Sequence, residues 1–236
     1  EVPDYGAYEK ESWADPAKGQ AAMITRMDQG VGGVLRRLRE LGIERDTLVI
    51  FTSDNGPHRE GGPGYDAEFF DANGPWRGIK RDLTEGGIRV PFIARWRGAI
   101  PAGAVSAVVG HFADFLPTAA ELGDSESSAD TDGISLAAVL RGEAAQLRPR
   151  EHLYWELHEP TFHQAVLLDG RWKAFRGRAG EAAFELYDLA NDAMEERDVS
   201  QDHPVLVERA IRVMDEAHVP NAWWRNPRKV ADSASP

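Results

Sequence analysis

Between Ala21 and Leu41 the apolar residues Ile24, Met27, Val31, Val34, Leu35, Leu38 and Leu41 recur mostly three or four positions apart. That spacing predicts an amphipathic helix, with Pro16 near its start and Gly42 where a left-handed cap belongs. The next run, Thr47-Leu-Val-Ile-Phe-Thr52, is short and apolar on both faces, the pattern of a buried parallel strand. A glycine-capped helix followed by such a strand is the αβ half of a doubly wound sheet. Val90-Pro-Phe-Ile-Ala-Arg-Trp96 predicts another strand, with Pro91 near its start as sheets require. Asp114 to Gly123 and Ser135 to Arg141 predict short helices, the second followed by Gly142.

Beyond about Pro149 the pattern changes. Leu153 to Leu157, Gln164 to Leu168, Arg171 to Arg176 and Phe184 to Tyr187 are short strand-like runs, and Asp169-Gly170 is a tight hairpin signal between two of them. Pro204 to Ala217 closes the pattern with an amphipathic helix. Strands followed by a helix, without alternation, predict a small antiparallel α+β subdomain. The chain therefore divides into an α/β part, residues 1–148, and a subdomain with a polar tail, residues 149–236.

Between the two early strands, Asp54 to Arg89 shows neither periodicity over 36 residues, eight of them glycine. Loops of that length are uncommon unless functional or disordered. Phe69, Phe70, Trp76 and Ile79 could anchor it, so it reads as a structured active-site loop. Ligands of doubly wound sheets collect beyond the carboxyl ends of strands, which directs attention to Ser53-Asp54-Asn55-Gly56-Pro57-His58.

Composition narrows the chemistry. With 27 Lys and Arg against 39 Asp and Glu the net charge is −12, which disfavours a nucleic-acid partner. No apolar run reaches the length of a membrane span. The absence of cysteine among the 236 residues excludes thiolate metal sites and a cysteine nucleophile within the chain. Asp54 and Asn55 offer hard oxygen donors suited to Ca²⁺ or Mg²⁺, yet two ligands do not fill a calcium shell, and an Asx turn after a strand uses the same residues. Lys80, in a glycine-rich context, is a point charge for an anion or a surface lysine. His58 titrates near neutrality or is a polar loop residue. Glu85 and Arg89 are spaced to pair and fix the loop.

Taken together and in order, Thr47 to Gly56, Gly78-Ile-Lys80, Thr84-Glu-Gly-Gly-Ile-Arg-Val-Pro91, Asp114-Phe-Leu-Pro-Thr118, Asp132-Gly-Ile-Ser-Leu136, Gln164-Ala-Val166, Trp172-Lys173 and Leu186-Tyr-Asp-Leu189 resemble the C-terminal half of an arylsulfatase-type sulfatase, in the alkaline-phosphatase-like superfamily. The resemblance covers roughly residues 20 to 200, with Ala193 where relatives often carry proline. It implies the C-terminal part of a doubly wound sheet followed by the small subdomain with its antiparallel sheet and C-terminal helix. It also implies sulfate ester hydrolysis with a formylglycine nucleophile, made from Cys or Ser in a C/S-x-P-x-R motif, and a divalent metal, Ca²⁺ before Mg²⁺. No such motif occurs here, so the nucleophile and the remaining metal ligands are expected to precede Glu1, and the chain alone is expected to be inactive.

On the family pattern Asp54 and Asn55 are metal ligands, Lys80 and His58 are catalytic, and Lys80, His158 and Gln164 meet a sulfated small molecule or glycan. Relatives are mostly exported, which implies a periplasmic, extracellular or lysosome-like compartment. A phosphodiesterase or phosphonate hydrolase of the same superfamily is the alternative chemistry; its relatives carry Asp-His-Gly where this chain has Asp54-Asn55-Gly56. A non-catalytic binding fragment is the other alternative. Without its first half, such a sheet exposes an edge through which the chain is expected to associate.

Overall fold

The computed structural model describes residues 2–125, 130–159, 161–178 and 183–220; the predicted polar tail and part of the acidic loop after Asp124 lie outside them. The chain forms two compact units. The first comprises Glu1–Asp54, His58–Ala72 and Val90–Arg148; the second comprises Asn55–Pro57, Asn73–Arg89 and the chain from Pro149 onward.

In the first unit, α1 (Asp15–Glu40) begins with Pro16 in its first turn and carries Asp15 at its positive end and Arg37 and Arg39 at its negative end. It closes as predicted on Gly42, at φ +73°, with the Ile43 N–H returning to the Leu38 carbonyl. Its apolar stripe is present but uncovered: only Ala17, Ala21 and Ala22 are buried, while Ile24, Met27 and Val34 are about half exposed.

The strand after it, β1 (Val49–Thr52), corrects an expectation. It pairs antiparallel with β2 (Phe92–Arg95), Val49 opposite Arg95 and Thr52 opposite Phe92, and it is half-buried rather than enclosed. A parallel partner needs a crossover, usually a full helix. The connection here holds one helical turn, α2 (Glu85–Ile88), and returns the chain to the end at which β1 stopped.

Further on, Asp114 organises the two short helices α3 (Phe115–Leu122) and α4 (Ala137–Leu140). Its buried carboxylate accepts the N–H groups of His111 and Ile134 at 2.8 and 2.9 Å, and Thr118 links its hydroxyl to the Leu136 N–H. Gly133 fits there because a side chain would meet the Ala113 carbonyl at 1.9 Å.

In the second unit, β3 (His152–Leu157), β4 (His163–Leu168), β5 (Trp172–Arg176) and β6 (Phe184–Asp188) form an antiparallel meander in chain order. Asp169-Gly170, both at positive φ, make the predicted hairpin turn. The helix α5 (Pro204–Ala217) spans the predicted residues and covers one face of the sheet, setting Ala210 and Met214 against Val166, Leu168, Ala174 and Leu186. The opposite face is covered from the glycine-rich segment: Leu83 packs on Ala165, Phe175 and Tyr187, with Ile88 beside it. Every residue of β4 is consequently buried. The segment that carries Lys80 is thus built onto the small sheet by the same apolar burial that holds α5 to its other side.

Candidate active site

The site is assembled on a knot of backbone. The Gly56 N–H donates to the Gly87 carbonyl and the Lys80 N–H to the Pro57 carbonyl, each at 2.8 Å, tying the residues after β1 to α2 and to the turn before it. The Gly86 N–H donates to the Arg77 carbonyl at 2.7 Å, closing the turn that holds Lys80. A side chain on Gly56 would sit 1.9 Å from the Gly86 carbonyl oxygen, one on Gly86 2.1 Å from that of Gly78, and one on Gly87 2.1 Å from that of Asp82. These glycines are required by backbone approaching backbone. The Asp82 carboxylate adds an acceptor for the Ile79 N–H at 2.9 Å.

Asn55 and Lys80 are thereby brought together within one unit, with Asp54 the covalent neighbour of Asn55. Asn55 is half-buried and its Nδ2 donates to the Gly56 carbonyl at 2.9 Å. Asp54 is exposed. A carboxylate and an amide oxygen are donor types that hard divalent cations take. Among the described residues no group of three or more His, Cys, Asp or Glu could hold a metal.

His58 belongs to a local turn, its Nδ1 accepting the Glu60 N–H at 3.1 Å and its ring stacked on Tyr65 with centroids 5.5 Å apart. His158 packs against Phe162, with its Nε2 3.7 Å from Glu156. The same carboxylate lies 2.6 Å from His218 Nδ1 and accepts the Tyr154 hydroxyl at 2.5 Å. Burial pushes the Glu156 carboxyl up, but the hydrogen bonds from His218 and Tyr154 outweigh it and hold it below its ordinary value. Gln164 is only 1% exposed, and its amide joins internal partners: Nε2 donates to the Tyr154 hydroxyl and the Met214 carbonyl, and Oε1 accepts from Arg176 at 2.8 Å. In this structure Gln164 ties the sheet to α5.

Two residues that sequence reasoning gave no role stand behind the Lys80 turn. Lys173 Nζ is fully buried, 2.6 Å from Glu85 Oε1 and 3.1 Å from Glu195 Oε1. The expected Glu85–Arg89 pair is present at 3.4 Å, but Glu85 gives its other oxygen to this interior lysine. Burial raises the Glu195 carboxyl pKa against the pull of Lys173. The available signal was parity: Lys173 shares a strand face with the wholly apolar and buried Phe175. Glu195 gave none, lying in the charged run Glu195-Glu196-Arg197-Asp198 that reads as surface.

Oxygen donors just past a strand, tied through backbone bonds to a lysine on a glycine-built turn, make this stretch the candidate site of a mixed α/β protein. Comparison with known proteins narrows this. The family model described as Sulfatase matches residues 4–125, and that of the N-sulphoglucosamine sulphohydrolase C-terminal region matches 76–214. A sulfatase of Formosa agariphila is 31% identical over 222 residues, 84% of this chain and 38% of that protein. Mouse steryl-sulfatase is 39% identical over 157 residues, 64% of this chain and 25% of that one.

Among solved structures, Ps i-CgsB superposes with a TM-score of 0.79 at 22% identity, over 98% of this chain and 50% of that chain. The PsFucS1 sulfatase from Pseudoalteromonas sp. superposes with a TM-score of 0.65 at 27% identity, over 83% and 41%. The chain belongs to the sulfatase family and has its fold. It spans between a quarter and two fifths of the length of these two curated relatives.

Proposed function

We propose that this chain supplies one side of the active site of a sulfuric ester hydrolase, the other side being supplied by the part of the sulfatase fold that these 236 residues do not contain. The observation that carries the reading is the shared backbone knot, which fixes Asn55 and Lys80 to one another through the Lys80 N–H to Pro57 and Gly56 N–H to Gly87 bonds. In this reading Asp54 and Asn55 give two oxygen ligands to a divalent cation, Ca²⁺ before Mg²⁺. A cation held there would supply Lewis-acid polarisation of a sulfate oxygen. Lys80 meets the ester oxygens and stabilises the charge that gathers on them as the S–O bond breaks. His58 sits near the leaving group as a polar contact.

The nucleophile, a formylglycine, comes from outside this chain. Gln164, enclosed by its own partners, acts on the substrate side only through the sheet it braces, and His158 is a substrate contact in this reading. The substrate class is a sulfated carbohydrate or small molecule. Support comes from relatives named for steryl sulfate and N-acetylgalactosamine 6-sulfate, and from a neighbour at 25% identity and TM-score 0.74 solved with a neocarrahexaose.

The purified chain should hydrolyse neither aryl sulfate nor aryl phosphate, and turnover that disappears in Lys80→Ala would overturn the half-site reading. Extended by the segment encoded immediately upstream, it should cleave aryl sulfate with dependence on Ca²⁺, and Lys80→Ala should lower kcat about 10²–10³-fold. A preference of that longer protein for phosphate diesters would move the assignment to the phosphodiesterase branch.

A further inference from the structure

We propose that Glu195 is a positioning residue for Lys80, holding the turn that carries it against the C-terminal sheet. The inference rests on the reading of Lys80 as the contact to the ester oxygens. Glu195 grips that turn at both ends. Its backbone carbonyl accepts from Arg77 Nη1 at 2.6 Å, three residues before Lys80, and its Oε2 accepts the Glu85 N–H at 2.8 Å, five residues after. Its Oε1 lies 3.1 Å from Lys173 Nζ, which lies 2.6 Å from Glu85 Oε1, so three side chains close a ring behind the turn. Arg77 is steadied further by the Tyr187 hydroxyl at 3.1 Å.

Three features separate this from a chance ion pair. Glu195 and Lys173 are both fully buried. Glu195 adopts φ +58°, a left-handed backbone that side chains disfavour, and this conformation places its carbonyl and its carboxylate on the same turn. The Glu85 N–H it caps is the first of α2, whose remaining N–H groups are used to close the Lys80 turn and reach back to Thr84. A residue serving stability alone would be felt equally throughout the sheet. One that positions the turn loosens Lys80 while β4 stays intact.

The test uses the 236-residue chain. By hydrogen exchange, Glu195→Ala should speed the Lys80 and Gly86 amides about tenfold or more, with Ala165 and Val166 in β4 unchanged. Unchanged Lys80 and Gly86 rates, or the same acceleration in β4, would overturn the positioning role. Glu195→Asp, one methylene shorter and so drawn back from the Glu85 N–H, serves the same comparison if the alanine variant loses its sheet. In parallel, inorganic sulfate is titrated against the Lys80 ¹³Cε resonance. Glu195→Ala should raise the midpoint about fivefold or more, and Glu195→Gln, which keeps an oxygen for the Glu85 N–H, should restore most of it. A midpoint that Glu195→Ala leaves in place overturns the inference. A wild-type Lys80 that ignores sulfate overturns instead the reading of Lys80 as an anion contact, and the exchange rates still decide what Glu195 does to the turn.

Discussion

Lys173 shows how a single side chain can carry a fold's connectivity. Its ammonium is removed from water entirely, which is tolerable only because Glu85 and Glu195 both meet it. Replacing it with Met leaves two carboxylates facing each other in the interior, so Lys173→Met should destabilise the second unit by about 3–5 kcal/mol in urea unfolding. The exposed partner in Arg171–Asp188 is a contrast: Arg171→Ala should cost no more than about 1 kcal/mol. That pair has a pH signature instead. Arg171 holds the Asp188 carboxyl down to about 2, with Asn191 and the Ala190 N–H assisting. The unfolded carboxyl takes up its proton near pH 4. As pH falls the unfolded chain binds that proton first, so the contribution is complete above about pH 4 and disappears as pH drops toward about 2. Melting temperatures recorded from pH 6 to pH 2 should fall less steeply for Asp188→Asn than for the wild type; identical slopes would dismiss the linkage.

At the level of elements, glycines divide into those that fold the site and those that merely weaken a helix. Gly86 has the Gly78 carbonyl 2.1 Å from where its side chain would be, and backbone cannot yield as a flexible side chain does. Gly86→Ala should therefore disrupt the Lys80 turn, destabilising by about 1–3 kcal/mol or more, with fast exchange at the Lys80 amide. Gly30 and Gly32, inside α1, have nothing within 4 Å of the same position. There the alanine change should raise stability, or measured helix content, by about 0.5–1 kcal/mol per site.

The same contrast marks what was legible in the sequence. The order Asp54-Asn55-Gly56, Lys80, Glu85-Gly86-Gly87 pointed to the candidate site, and α5 and the four strands from His152 were readable from their periods and their turn. The direction of β1 was not, because a run apolar on both faces looks alike whether its partner is parallel or antiparallel. Nor was the role of Glu195, whose carboxylate accepts an N–H 110 residues away in sequence and whose backbone angle leaves no mark on composition.

On the scale of the whole molecule the two units differ in how well they bury their apolar residues. The second has two core clusters, one on each face of its sheet. In the first, Phe92 and Ile93 on β2 are 54% and 61% exposed, Phe115 and Leu116 on α3 are 61% and 50% exposed, and the stripe of α1 is open to water. A groove lined by Leu48, Ile50, Trp96, Phe115 and Leu122 lies among them. Among the described residues β1 and β2 form a sheet of two, each with an edge that no other described strand covers, and an apolar edge is a template for pairing. Burying apolar area is worth roughly 25 cal/mol per Å², so several large side chains covered together would drive contact between copies at modest concentration. Sedimentation velocity should show the weight-average mass of the 236-residue chain rising with concentration. Ile93→Lys, which places charge on the edge strand, should shift that rise to higher concentration without lowering the melting temperature of the second unit. A chain that sediments as one monomeric species at every concentration, and gives no fluorescence with an apolar-surface dye, would show that the first unit covers these residues by itself.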